Sequence, residues 1–313
     1  MIERDTKQNK KSLHYVSRTI LAGGLAGCCA KTCIAPLERV KILFQGNSPK
    51  VAEHRGSIRG AFRTVHMIGS SEGVLALFRG NFATIVRIFP YAAIQYAAFE
   101  QCDDTLGKLG VEGKKRRFLA GACAGAISVT ITYPLDLIRA RLAFQSDQKY
   151  NGLWHAIVTR VKLEGGPMKL YSGFLPTFLG ILPYAGTSFM TYGTLKNFFR
   201  TNYPHTLREA KEGETEEREL RTPVRLLCGG VAGAVGQTVA YPLDVVRRRM
   251  QVCGVITQPE SKIVYRRMGE TARHIIQTEG IRGLYMGLTI NYVKVAPAVG
   301  ISFVMYERIK KLL

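Results

Sequence analysis

One pattern occurs three times in this chain and restricts what it can fold into. PLERVK begins at Pro36, PLDLIR at Pro134 and PLDVVR at Pro242. Each is a proline and a leucine, with an acid two places and a base five places after the proline. The prolines stand about 100 residues apart, too far for the unit of a solenoid. The chain reads instead as three similar modules. Other landmarks keep the same order after each motif: a Glu-Gly element at Glu72, Glu164 and Glu279, a glycine at Gly80, Gly173 and Gly287, and a further proline at Pro90, Pro183 and Pro297. The module boundaries expected are 1–14 for an N-terminal tail, 15–108, 114–200 and 222–313 for three repeats, and 201–221 for an acidic linker.

Hydrophobic patterning says what the modules are. Residues 170–195, 118–135 and 226–243 contain no charged side chain, and a helix crossing a bilayer needs about 20 apolar residues. Three further stretches read as spans interrupted by one charge each, Lys31, Arg87 and Lys294. The expected fold is all-α: six transmembrane helices, two per repeat, with both termini on one side. Between the two helices of each repeat, IRGAFRTVHMIG, LWHAIVTRVKL and MGETARHIIQ have the periodicity of short helices lying on a membrane surface. Glycine pairs at Gly23 and Gly27, Gly121 and Gly125, and Gly229 and Gly233 suggest close helix packing.

The charge balance, 44 Lys and Arg against 23 Asp and Glu, fits nucleic acid, an acidic membrane surface or an anionic solute. Nucleic-acid binding accounts for the charge but not for six spans. The six histidines are scattered and the seven cysteines form no CxxC pair, so no catalytic constellation, metal site, disulfide framework or cofactor is expected. The N-terminus lacks the short apolar core of a secretory signal, and Glu3 and Asp5 make it a poor transit peptide. Lysine and arginine are spread too evenly over the connections to set an orientation.

The threefold Pro-x-[Asp/Glu]-x-x-[Lys/Arg] motif, with its surface helix and Glu-Gly element, resembles the signature of the mitochondrial carrier family over about residues 15–312. The resemblance implies a transporter, with a pseudo-threefold bundle around a central cavity and both termini in the intermembrane space. It implies that Pro36, Pro134 and Pro242 bend the odd-numbered spans toward the axis, where a matrix gate pairs Glu38 with Arg139, Asp136 with Arg247, and Asp244 with Lys41. Gln45 and Gln251 stand where the family has a bracing glutamine; the second repeat has Ala143 there. A second, cytoplasmic gate is degraded: Lys196–Glu307 and Lys310–Glu100 remain, while Asp103 replaces a base and faces Gly193. Gly80, Gly173 and Gly287 begin the even-numbered spans, where free N–H groups favour phosphate, and the family resemblance reads them as cardiolipin sites. A monomer is expected.

A charge inside a span costs roughly 2.5–3.5 kcal/mol on insertion scales and usually marks a pathway. Lys31 lies seven residues before Glu38, about two turns or roughly 10 Å deeper on the same face. Arg87 and Lys294 each precede a proline by three residues, and Gly180 occupies that place in the second repeat. Two cations at one level imply an anionic solute, with Arg87 able to grip phosphate through two bonds. The family resemblance makes Gly180-Ile181 an adenine pocket, and Tyr184 lies one turn on. Within the family the likeness is to the coenzyme A branch, through LAGGLAGCCAKT, RIFPYAAIQY and LPYAGTSF. Near relatives carrying ATP-magnesium and phosphate, other adenine nucleotide carriers, and a proton or fatty-anion leak protein are the alternatives.

Overall fold

The computed structural model describes residues 2–145, 149–203, 220–255 and 267–312, with side chains from residue 21 onward except at 114. Among the described residues the chain forms six long helices, α1 (Ile2–Gln45), α3 (Asn81–Lys108), α4 (Gly113–Phe144), α6 (Phe174–Asn202), α7 (Thr222–Val252) and α9 (Leu288–Leu312). Three short ones, α2 (Ile58–Ser71), α5 (Leu153–Leu163) and α8 (Met268–Gly283), lie between the long helices of each repeat, on the segments expected from periodicity. The first helix starts at Ile2, so the segment expected as a tail is helical. The acidic linker falls largely outside the described residues.

By length and composition, four segments are able to cross a membrane: Val74–Lys108, Lys115–Phe144, Thr222–Val252 and Leu288–Leu312. Helix α6 is as long, at 29 residues, and uncharged over most of its length. Its Pro, Gly, Thr and Tyr residues make it less apolar. Helix α1 is interrupted by Lys31.

Every motif proline lies inside a helix. Proline removes the bond to the carbonyl four residues back. That residue is a threonine in all three repeats: Thr32, Thr130 and Thr238. Each hydroxyl donates one turn further up, to Cys28 O at 2.8 Å, Ala126 O at 2.8 Å and Ala234 O at 2.7 Å. Such back-bonding favours a bend at the same place.

Neighbouring repeats meet along long helix pairs, α3 with α4, α6 with α7 and α1 with α9; the even-numbered long helices pack on these partners rather than along one another. The residues that bury themselves along the odd-numbered helices are Ala22, Ala26 and Ala30, then Ala120, Ala124, Ser128 and Thr132, then Cys228, Ala232, Gly236 and Ala240. They sit one place before the glycine pairs singled out from the sequence. A Cβ added at Gly23, Gly27, Gly121, Gly125, Gly229 or Gly233 would meet nothing within 4 Å. These glycines therefore do not mediate the close packing expected of them. Gly23 and Gly27 share a face with Lys31 and Glu38 at helical spacing, and line a cleft with Lys31. The large buried apolar side chains, among them Val40, Phe44, Leu137, Ile138, Val245 and Ile275, gather beyond the prolines, where the surface helices close one end of the bundle.

Candidate functional site

At that closed end the three acids and three bases of the repeated motif meet. The Arg139 guanidinium donates to Glu38, and Arg247 donates to Asp136. Lys41 Nζ stands 3.7 Å from Asp244 Oδ2. Each pair joins two of the helices α1, α4 and α7, in the cyclic order expected. Glu38 and Asp136 are buried, so the ring forms a floor rather than a surface network. Under the second pair, Gln251 Nε2 donates to Asp136 at 3.3 Å and to the Tyr133 hydroxyl at 3.1 Å. Under the third, Gln45 is buried beside Tyr241, and Asn291 accepts from Lys41 Nζ at 2.9 Å. Nothing in the local sequence marked Asn291, because α9 carries no copy of the proline motif.

A second ring lies beneath the first and was not read from the sequence. Arg39 donates to Ala143 O and Gln145 O at the end of α4. Arg141 donates to Gln251 O and Cys253 O at the end of α7. Arg249 donates to Gln45 O at the end of α1. The last carbonyls of a helix have no partner within it and carry its negative dipole end, so a guanidinium satisfies both needs. Each arginine is held by the glutamate of its own Glu-Gly element, Glu72, Glu164 and Glu279. Burial pushes the Glu164 carboxyl up, but Arg141, Tyr150, Arg160 and Lys149 hold it below its ordinary range. Glu72 is lowered in the same way, by Arg39, Arg79 and Lys50 against burial. The ring escaped detection because Arg39 lies three places after its proline and the other two arginines seven.

Above the floor is a cavity of about 390 Å³, lined by Arg87, Gly180, Ile181 and Tyr184 together with Tyr91, Arg139, Asp136, Asp244, Arg247 and Arg248. Four of the six expected solute residues thus share one wall. Lys31 and Lys294 are on the Glu38 side instead, with Nζ at 3.5 and 3.3 Å from Glu38 Oε1. The long Lys31 side chain reaches down the two turns that separate it from Glu38. Arg87 Nη1 is 3.2 Å from Asp136 Oδ1. The mid-span cations are therefore not free; they lean on the gate carboxylates. A Cβ at Gly180 would touch only Leu243, at 3.7 Å, so packing alone does not demand glycine there.

A family model described as "Mitochondrial carrier protein" matches residues 13–110, 115–203 and 218–313, one match for each repeat. The chain belongs to the mitochondrial carrier family. It is 44% identical to "Solute carrier family 25 member 16" of Bos taurus over 301 residues, 95% of this chain and 89% of that one. It is 43% identical to "Mitochondrial coenzyme A transporter SLC25A42" of Homo sapiens over 312 residues, 97% and 91% of the two chains. To "Mitochondrial carrier protein LEU5" of Saccharomyces cerevisiae it is 38% identical over 330 residues, 97% and 92% of each. This carrier is accordingly a multi-pass transporter of the mitochondrial inner membrane and not an enzyme.

Glu100 and Glu307 are exposed, and neither makes an ion pair among the described residues, so the expected Lys196–Glu307 and Lys310–Glu100 pairs are not formed. Lys310 Nζ lies 5.9 Å from the centre of the Tyr306 ring. Asp103, expected to lack a partner, is held by Arg116 of α4, whose Nε donates at 2.9 Å. Gly80, Gly173 and Gly287 have left-handed φ values of 85°, 81° and 85°. Gly80 and Gly173 also pack on the next odd-numbered helix, where a Cβ would come within 2.7 Å of Arg139 O and 3.0 Å of Arg247 O. Backbone geometry alone requires glycine at both.

Proposed function

We propose that this carrier moves coenzyme A, or a closely related adenine-containing phosphate compound, into mitochondria by alternating access. The observation that carries the reading is the composition of the cavity wall. Arg87 stands beside Gly180, Ile181 and Tyr184, a cation for phosphate next to a flat apolar face with an aromatic ring for a purine. Lys31 and Lys294, on the Glu38 side, supply more positive charge for a diphosphate or a further phosphate group. A relative 43% identical over almost the whole chain is named as a coenzyme A transporter, which supports this choice over the adenine nucleotides.

The three ion pairs of the floor act as the matrix gate. Solute bound above them competes for Arg87, Lys31 and Lys294, which now hold Asp136 and Glu38. Binding thus weakens the contacts that keep the floor shut, and only a solute with differential contacts to the two states shifts the balance between them. Glu100 and Glu307, exposed and without an ion pair among the described residues while the floor is closed, act with the outer bases as the opposing gate. Cardiolipin occupies the grooves at the even-helix starts. One such groove, of about 300 Å³, runs from Arg79 and Gly80 to Gly152 and Leu153, between the N-termini of α3 and α5, where two helix dipoles favour phosphate. Exchange of labelled coenzyme A by purified protein in liposomes tests the solute. Thermal rescue of delipidated protein by cardiolipin but not by neutral lipid tests the grooves.

A further inference from the structure

We propose that Arg248 is the innermost solute-binding residue of this carrier, an axial receptor for a phosphate group. The inference deepens the reading above and rests on it for the phosphate-bearing nature of the solute.

Seven bases crowd the cavity and its floor, against three carboxylates. Six of the seven are engaged: Arg139, Lys31 and Lys294 with Glu38, Arg87 and Arg247 with Asp136, and Lys41 with Asp244. Arg248 is the seventh. It lines the same cavity as Arg87, Gly180 and Ile181, yet it makes no ion pair among the described residues. Its one hydrogen bond runs from Nη1 to Gln251 Oε1, at 2.8 Å. Its Nε is buried with no partner.

A guanidinium keeps its charge in any protein environment, and Arg248, half-buried, shares its cavity with Asp136 and Asp244 without forming an ion pair with either. Such a group, held in a solute cavity, is a waiting anion site. The bond to Gln251 uses Nη1 and leaves Nε and Nη2, the pair of parallel donors that suits a phosphate. Gln251 also donates to Asp136 and Tyr133, so the guanidinium is fixed from below by the brace of the second gate pair.

Its placement also gives a route from occupancy to opening. Arg248 lines the same cavity as Arg139, Asp136, Arg247 and Asp244, which together belong to all three gate pairs. A phosphate at Arg248 presents a competing anion to Arg139 and Arg247 in the same cavity, and draws them from Glu38 and Asp136. Because Nε is covered while the floor is closed, full engagement of that edge requires the surrounding side chains to shift. Phosphate binding and gate loosening are then one event.

The test uses full-length wild type, Arg248→Gln and Arg248→Lys carriers in liposomes, with labelled coenzyme A, ATP and inorganic phosphate. Solute-induced thermal stabilisation is measured in parallel. Without solute, Arg248→Gln should unfold close to the wild-type temperature, since it breaks no ion pair. Its KM for the compound that the wild type carries should rise tenfold or more and its solute-induced stabilisation should shrink, with Arg248→Lys recovering part of both. A wild type that exchanges ATP but not coenzyme A refutes the solute assignment alone, and the role of Arg248 is then decided on ATP. An Arg248→Gln carrier with wild-type KM and wild-type thermal shift overturns the proposal. So does one that cannot fold, which makes the residue structural, or a wild type that takes none of the three compounds.

Discussion

Arg87 on α3 holds Asp136 on α4 at 3.2 Å, so a residue facing the solute cavity is also a partner of the gate. Loss of Arg87 therefore has two consequences of opposite sign. It removes a phosphate ligand, and it leaves Asp136 to Arg247 and Gln251 alone. Arg87→Ala should lower coenzyme A exchange by at least tenfold, while the temperature of unfolding without solute changes by no more than a few degrees. Measurement of both in one preparation separates a binding role from a structural one; a large fall in thermal stability with intact KM would contradict the assignment.

The Glu38–Arg139 pair admits a charge swap. Either single change, Glu38→Arg or Arg139→Glu, should abolish most transport. The double swap should exceed both but remain below wild type, because Lys31 and Lys294 also face position 38 and would repel an arginine there. Because Glu38 is buried, each single change should cost roughly 3–5 kcal/mol of stability, as when one partner of a buried pair is lost, and the double swap should recover part of it. A double variant no better than the singles would mean that the two residues do not act together.

Much of this arrangement was legible from the sequence. Three copies of one motif fixed the number of repeats and the placement of the surface helices. The repeats carry the symmetry, and the family resemblance implied the order in which Glu38, Asp136 and Asp244 find their bases. What was missed breaks the symmetry or depends on depth. Arg39 is one turn out of register with Arg141 and Arg249, so the lower ring has no common spacing. Asn291 reaches Lys41 from another helix. Gly23, Gly121 and Gly229 have the spacing of packing residues, but lie one place, about 100°, around the helix from Ala22, Ala120 and Cys228. Lys31 and Lys294 were placed by their Cα atoms, whereas their long side chains carry the charge down to Glu38.

The lower ring makes a prediction about acid. Burial raises the Glu164 carboxyl, but Arg141, Tyr150, Arg160 and Lys149 together hold it below its ordinary range. A carboxyl depressed in the folded state contributes stability that is present above its unfolded value, about 4.3 for glutamate, and is lost as pH falls through the folded value. Thermal stability should be flat from neutrality to pH 5 and fall below that. Glu164→Ala should cost about 3 kcal/mol, as when one member of a buried pair is removed, and should make the acid limb shallower. Unfolding curves between pH 3 and 7 for both proteins check this; parallel limbs would contradict it.

Gly180 tests the base pocket. Since a Cβ there meets Leu243 only at 3.7 Å, Gly180→Ala should fold and keep most activity. Gly180→Leu, extending into the cavity beside Ile181 and Tyr184, should fold but lose exchange of adenine compounds in particular. Equal loss for adenine compounds and for inorganic phosphate would argue for a general obstruction instead.

The central claim is tested most directly by uptake of labelled coenzyme A into liposomes that contain purified carrier and unlabelled coenzyme A, beside identical liposomes set up with ATP and with phosphate. Saturable coenzyme A uptake that requires internal coenzyme A and is lost in the Lys294→Ala carrier is the predicted result. Robust ATP uptake with no uptake of coenzyme A would contradict it.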